Sequence, residues 1–186
     1  MGLTLITPAA GWPVTLDQAK AHCRVESGDE DDLLTGLIAA AAGHIEDYTG
    51  RAIGSQTWEL SLDQFSPAIL LSKGPVSAIV SVKYVDLAGV LQTASPLLYS
   101  ADLISDPQWV VLNGDSSWPV TLDSVNAVTI RFTTGYAEVP AAIRQACLLL
   151  IGHWYANREA VNVGNVATQL PLAVEYLLAN HRSFAA

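Results

Sequence analysis

The stretch "AAIRQACLLLIGHW", residues 141–154, contains one formal charge, Arg144, and follows directly on Pro140. Proline suits a first helical turn, because its missing N–H would have no intrahelical partner there. Ile143, Cys147, Leu150, Ile151 and Trp154 recur at helical spacing and form one stripe, while Leu148 and Leu149 fall on other faces. A helix apolar nearly all round must be surrounded, so it is expected at the centre of a domain or within an oligomer. Neither this run nor "LIAAAA" reaches the ~20 apolar residues of a membrane span.

The rest of the 186-residue chain reads as three zones without a linker, and one domain over 1–186 is predicted. Zone one, 13–50, is helical. Thr15 and Gln18 form a capping box that opens a short helix to about Arg24. Ser27 and Glu30 form a second box, and Leu34, Leu37, Ile38, Ala41, Ile45 and Tyr48 then make one apolar face, with Gly50 as the residue that ends the helix. Zone two, 55–136, alternates as strands do: Trp58, Leu60 and Leu62; Val80, Val82 and Tyr84; Val128, Ile130 and Phe132. "DLAG" is a hairpin turn into "VLQT", and "QWVVL" ends at Asn113-Gly114. Prolines between the runs predict short antiparallel strands with many loops. Zone three holds the central helix, 140–159, the polar "NVGNVATQ", and a last helix and tail within 168–186 that starts at Pro171. The fold class predicted is α+β: N- and C-terminal helices packed together, with a short-stranded antiparallel β region between them.

Composition narrows function by exclusion. Hydrophobic residues are 51% and charged residues 15%, with a mean hydropathy of +0.31, so the apolar surplus must be buried within the fold or between copies of it. The opening "MGLTLITPAA" has no basic stretch before its apolar one and no Ser or Thr at Ile6, so neither a secretory signal nor N-myristoylation is predicted. Net charge is −9, and the nine Lys and Arg are scattered, which leaves no footprint for gripping phosphate. Acid concentrates in "ESGDEDD" (Glu26, Asp29, Glu30, Asp31, Asp32), where carboxylates complement a helix N-terminus. Cys23 and Cys147 read as buried free thiols rather than a disulfide.

No zinc spacing links His22, His44, His153 and His181, and no nucleophile elbow or phosphate-binding loop occurs. The sequence therefore predicts no catalytic residue, no metal and no cofactor. "GHWYANREAV" gathers polar and aromatic residues, yet His153 and Glu159 lie six positions apart and diverge on a helix. Trp154, Tyr155, Asn157, Arg158 and Glu159 are instead expected at a packing or subunit interface, where Trp, Tyr and Arg are enriched.

In this order, "PVTLDQAKAHCRV", "DEDDLLTGLIAAAAGHIEDYTGRAIGSQTWEL", "VPAAIRQACLLLIGHWYANREAV" and "LPLAVEYLLANHR" resemble the head–tail connector (adaptor) proteins of long-tailed phages, prophages and gene transfer agents. The resemblance runs from about Pro13 to Arg182, and "YTGR…QTWEL" and "HWYANREAV" are its most specific parts. It implies a structural virion protein at the head–tail junction, assembled in the host cytoplasm into a ring of identical subunits, commonly about twelve. Its partners would be further copies of itself, the portal protein and a downstream neck or tail protein, with double-stranded DNA passing through non-specifically and no membrane. Asp29, Glu30, Asp31 and Asp32 would then face the channel, where acid discourages DNA from sticking. Val174, Leu177, Leu178, His181, Arg182 and Phe184 would face the portal. Another neck or tail-completion protein, or a small hydrolase with scattered site residues, are the alternatives.

Overall fold

The structure, a computed structural model, describes residues 1–158 and 172–183. Glu159, "NVGNVATQ", Pro171 and Phe184 lie outside the described residues. The fold is α+β, and the chain divides into two compact units.

The β unit comprises Met1–Ala10 and Gly54–Tyr136, with Ser183. A five-stranded antiparallel sheet is built from β1 (Gly2–Thr7), β2 (Gln56–Leu62), β8 (Val128–Thr134), β4 (Val76–Val85) and β5 (Leu91–Thr93), in that spatial order. A second sheet has the order β3 (Ala68–Leu71), β7 (Gln108–Leu112), β6 (Tyr99–Asp102). β8 is central, and the alternation of its sequence is realised fully: Val128, Ile130, Phe132 and Thr134 are buried, with the residues between them only partly covered. Leu60, Val82, Ile69, Leu71 and Val110 from both sheets complete that core. Phe65 stacks on Trp118 with ring centroids 4.2 Å apart, and the Trp118 Nε1–H donates to the Ser66 carbonyl.

Two features of this unit depart from expectation. β1 was not foreseen, because a half-polar opening segment becomes a strand only by pairing with β2. Val80, expected on the same face as Val82 and Tyr84, is 56% exposed. The pairing of β4 with β8 steps from Ile79↔Phe132 to Ser81↔Arg131, so Val80 is the extra residue of a bulge. One inserted residue turns the side chains preceding it to the opposite face, and Ile79 takes the inward place.

The helical unit comprises Gly11–Ile53 and the described part of Ala137–Arg182. Its helices are α1 (Leu16–Cys23), α2 (Asp31–Thr49), α3 (Ala141–Ala156) and α4 (Leu172–Leu178). The Thr15 box forms in full: Thr15 Oγ1 accepts from the Gln18 N–H, and Gln18 Oε1 accepts from the Thr15 N–H. The Ser27 box does not form. α2 begins at Asp31 with Glu30 as its N-cap and no capping side chain, because the Glu30 carboxylate has found other donors. Gly50 closes α2 at φ 69°, as glycine readily does.

α3 packs against α1, α2 and α4 alike, which is why its sequence is apolar on nearly every face. Ile143, Ala146, Cys147, Leu150 and Ile151 are buried. Cys147 is so enclosed that burial pushes its thiol up to about 12, whereas Cys23 is only half-buried. Trp154 is half-buried too, with its ring edge-on to His44 at 6.1 Å between centroids, so the buried part of the stripe ends at Ile151.

Candidate functional site

Two of the residues singled out in "GHWYANREAV", Tyr155 and Arg158, meet the N-terminus of α2, inside the helical unit. Tyr155 Oη donates to Glu30 Oε2, and Arg158 Nη2 donates to Glu30 Oε1 at 2.5 Å. The Arg158 guanidinium also lies over the Tyr155 ring, 4.8 Å from its centroid. Asn157 Nδ2 donates to the His153 carbonyl at 2.8 Å, at the end of its own helix. Trp154, Tyr155, Asn157 and Arg158 thus tie α3 to α2 and finish their own helix. A ring edge, a phenol, an amide and a guanidinium so engaged offer no nucleophile or base.

The same contacts account for the acidic cluster. Glu30 is held below the ordinary carboxylate value by the Tyr155 hydroxyl first and the Arg158 guanidinium second. Tyr155 is raised in turn, chiefly by the bond to Glu30. Asp31 pairs with Lys20 Nζ at 2.6 Å, linking α1 to α2. Of the four acids expected to face a channel, Glu30 and Asp31 are therefore engaged within the unit, and Asp29 and Asp32 remain exposed.

The depressed Glu30 value carries a pH dependence with a definite sign. The folded protein binds this proton less readily than the unfolded chain, so stabilisation is complete above the unfolded value of 4.5 and is lost as pH falls below it. Wild-type melting temperature should drop further than that of Glu30→Gln between about pH 6 and about pH 3, although the pair is exposed and its effect modest. Equal drops would show that the Glu30 charge does not stabilise the fold.

α4 sits differently from expectation. Val174 and Leu178 are fully buried, and α4 packs on α3. Arg51 Nε donates to the His181 carbonyl at 2.7 Å, and the Arg182 guanidinium lies 5.3 Å from the Tyr48 ring centroid. Burial, and then the Arg51 charge, push the His181 imidazole below its ordinary value, so His181 adds little positive charge at neutral pH. The apolar face expected to reach the portal is folded back onto its own unit, since a helix this short gains stability only by docking. What α4 presents outward is Leu172, 66% exposed, and Tyr176, 79% exposed, one turn apart. Leu177 is half-buried.

Sequence reasoning missed a recess between α1 and α3, lined by Val14, Gln18, Ala21, His22, Arg144 and Leu148 among others, of about 440 Å³. Gly152 lets His22 approach α3: a Cβ there would stand 2.9 Å from the His22 Nε2. The available signal was Leu148, an apolar residue off the main stripe of α3. Among the described residues, no three His, Cys, Asp or Glu side chains gather to hold a metal ion, and no helix is long and apolar enough to cross a membrane.

With this geometry in view, the similarities to known proteins can be set beside it. Residues 13–86 match the family described as "Phage gp6-like head-tail connector protein", which bears out the resemblance read from the sequence. Three solved structures share the fold over the full chain. One, "Neck of empty GTA particle computed with C6 symmetry", has a TM-score of 0.81 at 23% identity and covers 100% of this chain and 97% of that one. "Virion of native gene transfer agent (GTA) particle" has a TM-score of 0.79 at 23% identity, and "Neck of native GTA particle computed with C12 symmetry" 0.78 at 22%, with the same coverage. No curated protein matches the chain.

Proposed function

We infer that this chain is a structural virion protein, one subunit of a neck ring that joins the portal to the tail and extends the DNA channel. The observation that carries the reading is the full-length likeness to chains from gene-transfer-agent necks, 100% of this chain against 97% of that one, together with the connector match over 13–86. The reconstructions with C6 and C12 symmetry favour a ring of twelve copies. A ring closes through heterologous contacts, so each subunit carries two unlike complementary faces. A net charge of −9 keeps such a ring from gripping DNA in transit, because no cationic surface replaces the counterions of the duplex. The ring belongs in the virion at the head–tail junction. There the exposed face of α4, Leu172 and Tyr176, meets the portal in place of the buried Val174 and Leu178.

Electron microscopy of the purified protein, alone and mixed with its portal, tests both parts. Rings seated on the portal are expected, as is loss of seating in Leu172→Ser/Tyr176→Ser with ring and melting temperature unchanged. A protein that neither forms rings nor binds the portal overturns the function. A double variant that still seats normally moves the portal contact elsewhere.

A further inference from the structure

We propose that the α1–α3 recess of one subunit receives the N-terminal turn of α2 of a second copy, with Leu33 entering the recess and Asp32 and Asp29 facing Arg144. The proposal rests on the ring reading and names the subunit contact within it. Two unlike patches on one chain are what a heterologous contact requires, and the helical unit offers such a pair.

The receptor is the recess of about 440 Å³, lined by the apolar Val14, Ala21 and Leu148 and by the polar Gln18, His22 and Arg144. The insert is Leu33, 39% exposed in the first turn of α2, flanked by the exposed Asp29 and Asp32. The buried leucine of that helix is its neighbour Leu34, and Leu33 keeps much of its side chain at the surface of its own unit.

Charge selects the occupant. Copies that each carry −9 repel unless the contact sets acid against base. Most cations are already engaged: Lys20 by Asp31, Arg158 by Glu30, Arg131 by Glu59, Arg182 over Tyr48 and Lys73 over Trp58. Among the described residues, Arg144 at the recess pairs with Glu138 alone, at 3.9 Å, and the Glu138 side chain is 88% exposed. It is a cation at the edge of an apolar recess with a weak partner of its own. A second copy supplies the complementary piece, a leucine preceded by exposed carboxylates.

Two cysteine variants, Leu33→Cys and Leu148→Cys, each in a Cys23→Ser background, test the contact with a short bis-maleimide, since Cys147 is enclosed. Cross-linked dimer is expected in the mixture and not in either variant alone. Arg144→Glu should abolish rings while keeping its melting temperature, and adding Asp32→Arg should restore them. Rings that persist in Arg144→Glu, with no cross-link in the mixture, overturn this contact and leave the ring reading standing. Cross-linking of either variant with itself also overturns it, because the contact would then be self-facing. Absence of rings and of cross-links in every sample overturns both readings.

Discussion

Leu178→Ala is expected to lower the stability of the helical unit by about 2–5 kcal/mol, the range for emptying a fully buried leucine site. Leu178 is 0% exposed and so is Val174, four residues earlier on the same face of α4. A helix of 7 residues has no independent stability in water, so α4 exists because that face is docked. Removing Leu178 leaves a cavity beside α3 that the Arg51 and Arg182 contacts cannot refill. Thermal unfolding with hydrogen exchange on the α4 amides reads the effect. Tyr176→Ala, at an exposed position of the same helix, should stay within about 0.5 kcal/mol of wild type. Equal behaviour of the two variants would mean that α4 is not docked as described. Deleting 170–186 should likewise destabilise the unit, because the buried Val174 and Leu178 leave with it.

Gly135→Ala should be at least as damaging to the β unit. Gly135 follows β8 at φ 118°, a backbone conformation that residues with a Cβ rarely adopt. An added Cβ would stand 2.1 Å from the Gly54 carbonyl oxygen and 2.9 Å from the Ser55 Cα. Both obstacles are backbone, so no rotamer change relieves the clash. The main chain must move instead, away from the Pro75 carbonyl that accepts the Gly135 N–H at 2.8 Å. Strain of about 1–3 kcal/mol and overpacking of about 1–3 kcal/mol combine to on the order of 4 kcal/mol. Denaturant unfolding followed by tryptophan fluorescence reads this unit through Trp58, Trp109 and Trp118. A midpoint shift smaller than that of a routine surface substitution would contradict the close approach at Gly54.

Local chemistry was legible wherever neighbours in sequence are also neighbours in space. Thr15 with Gln18, Gly50 after Thr49, and the alternation of Val128, Ile130 and Phe132 each involve residues a few positions apart. Ser27 and Glu30 satisfy the same capping pattern as Thr15 and Gln18, yet that box is absent. The Glu30 carboxylate can bond its own chain locally or meet Tyr155 and Arg158 from 125 and 128 residues away, and the two charge-assisted donors win. The Val80 bulge was hidden for a related reason: pairing register belongs to two strands, and one strand's sequence describes only half of it.

By itself the sequence determined the α+β class, the central place of the helix it read at 140–159, the lack of a recognisable catalytic motif and the resemblance to head–tail connectors. These follow from apolar periodicity and motif content, which are properties of the chain alone. Tertiary structure decided which face of each element is already occupied. Val174 and Leu178 are as apolar as a docking surface would be, and only the packing against α3 shows that they are used up inside the unit. Asp29 and Glu30 are adjacent acids with the same local propensity, and only the arrival of Tyr155 and Arg158 separates an engaged carboxylate from an exposed one. The physical reason is the same in both cases: hydrophobicity and charge are written residue by residue, but burial and pairing depend on groups brought together from distant parts of the chain.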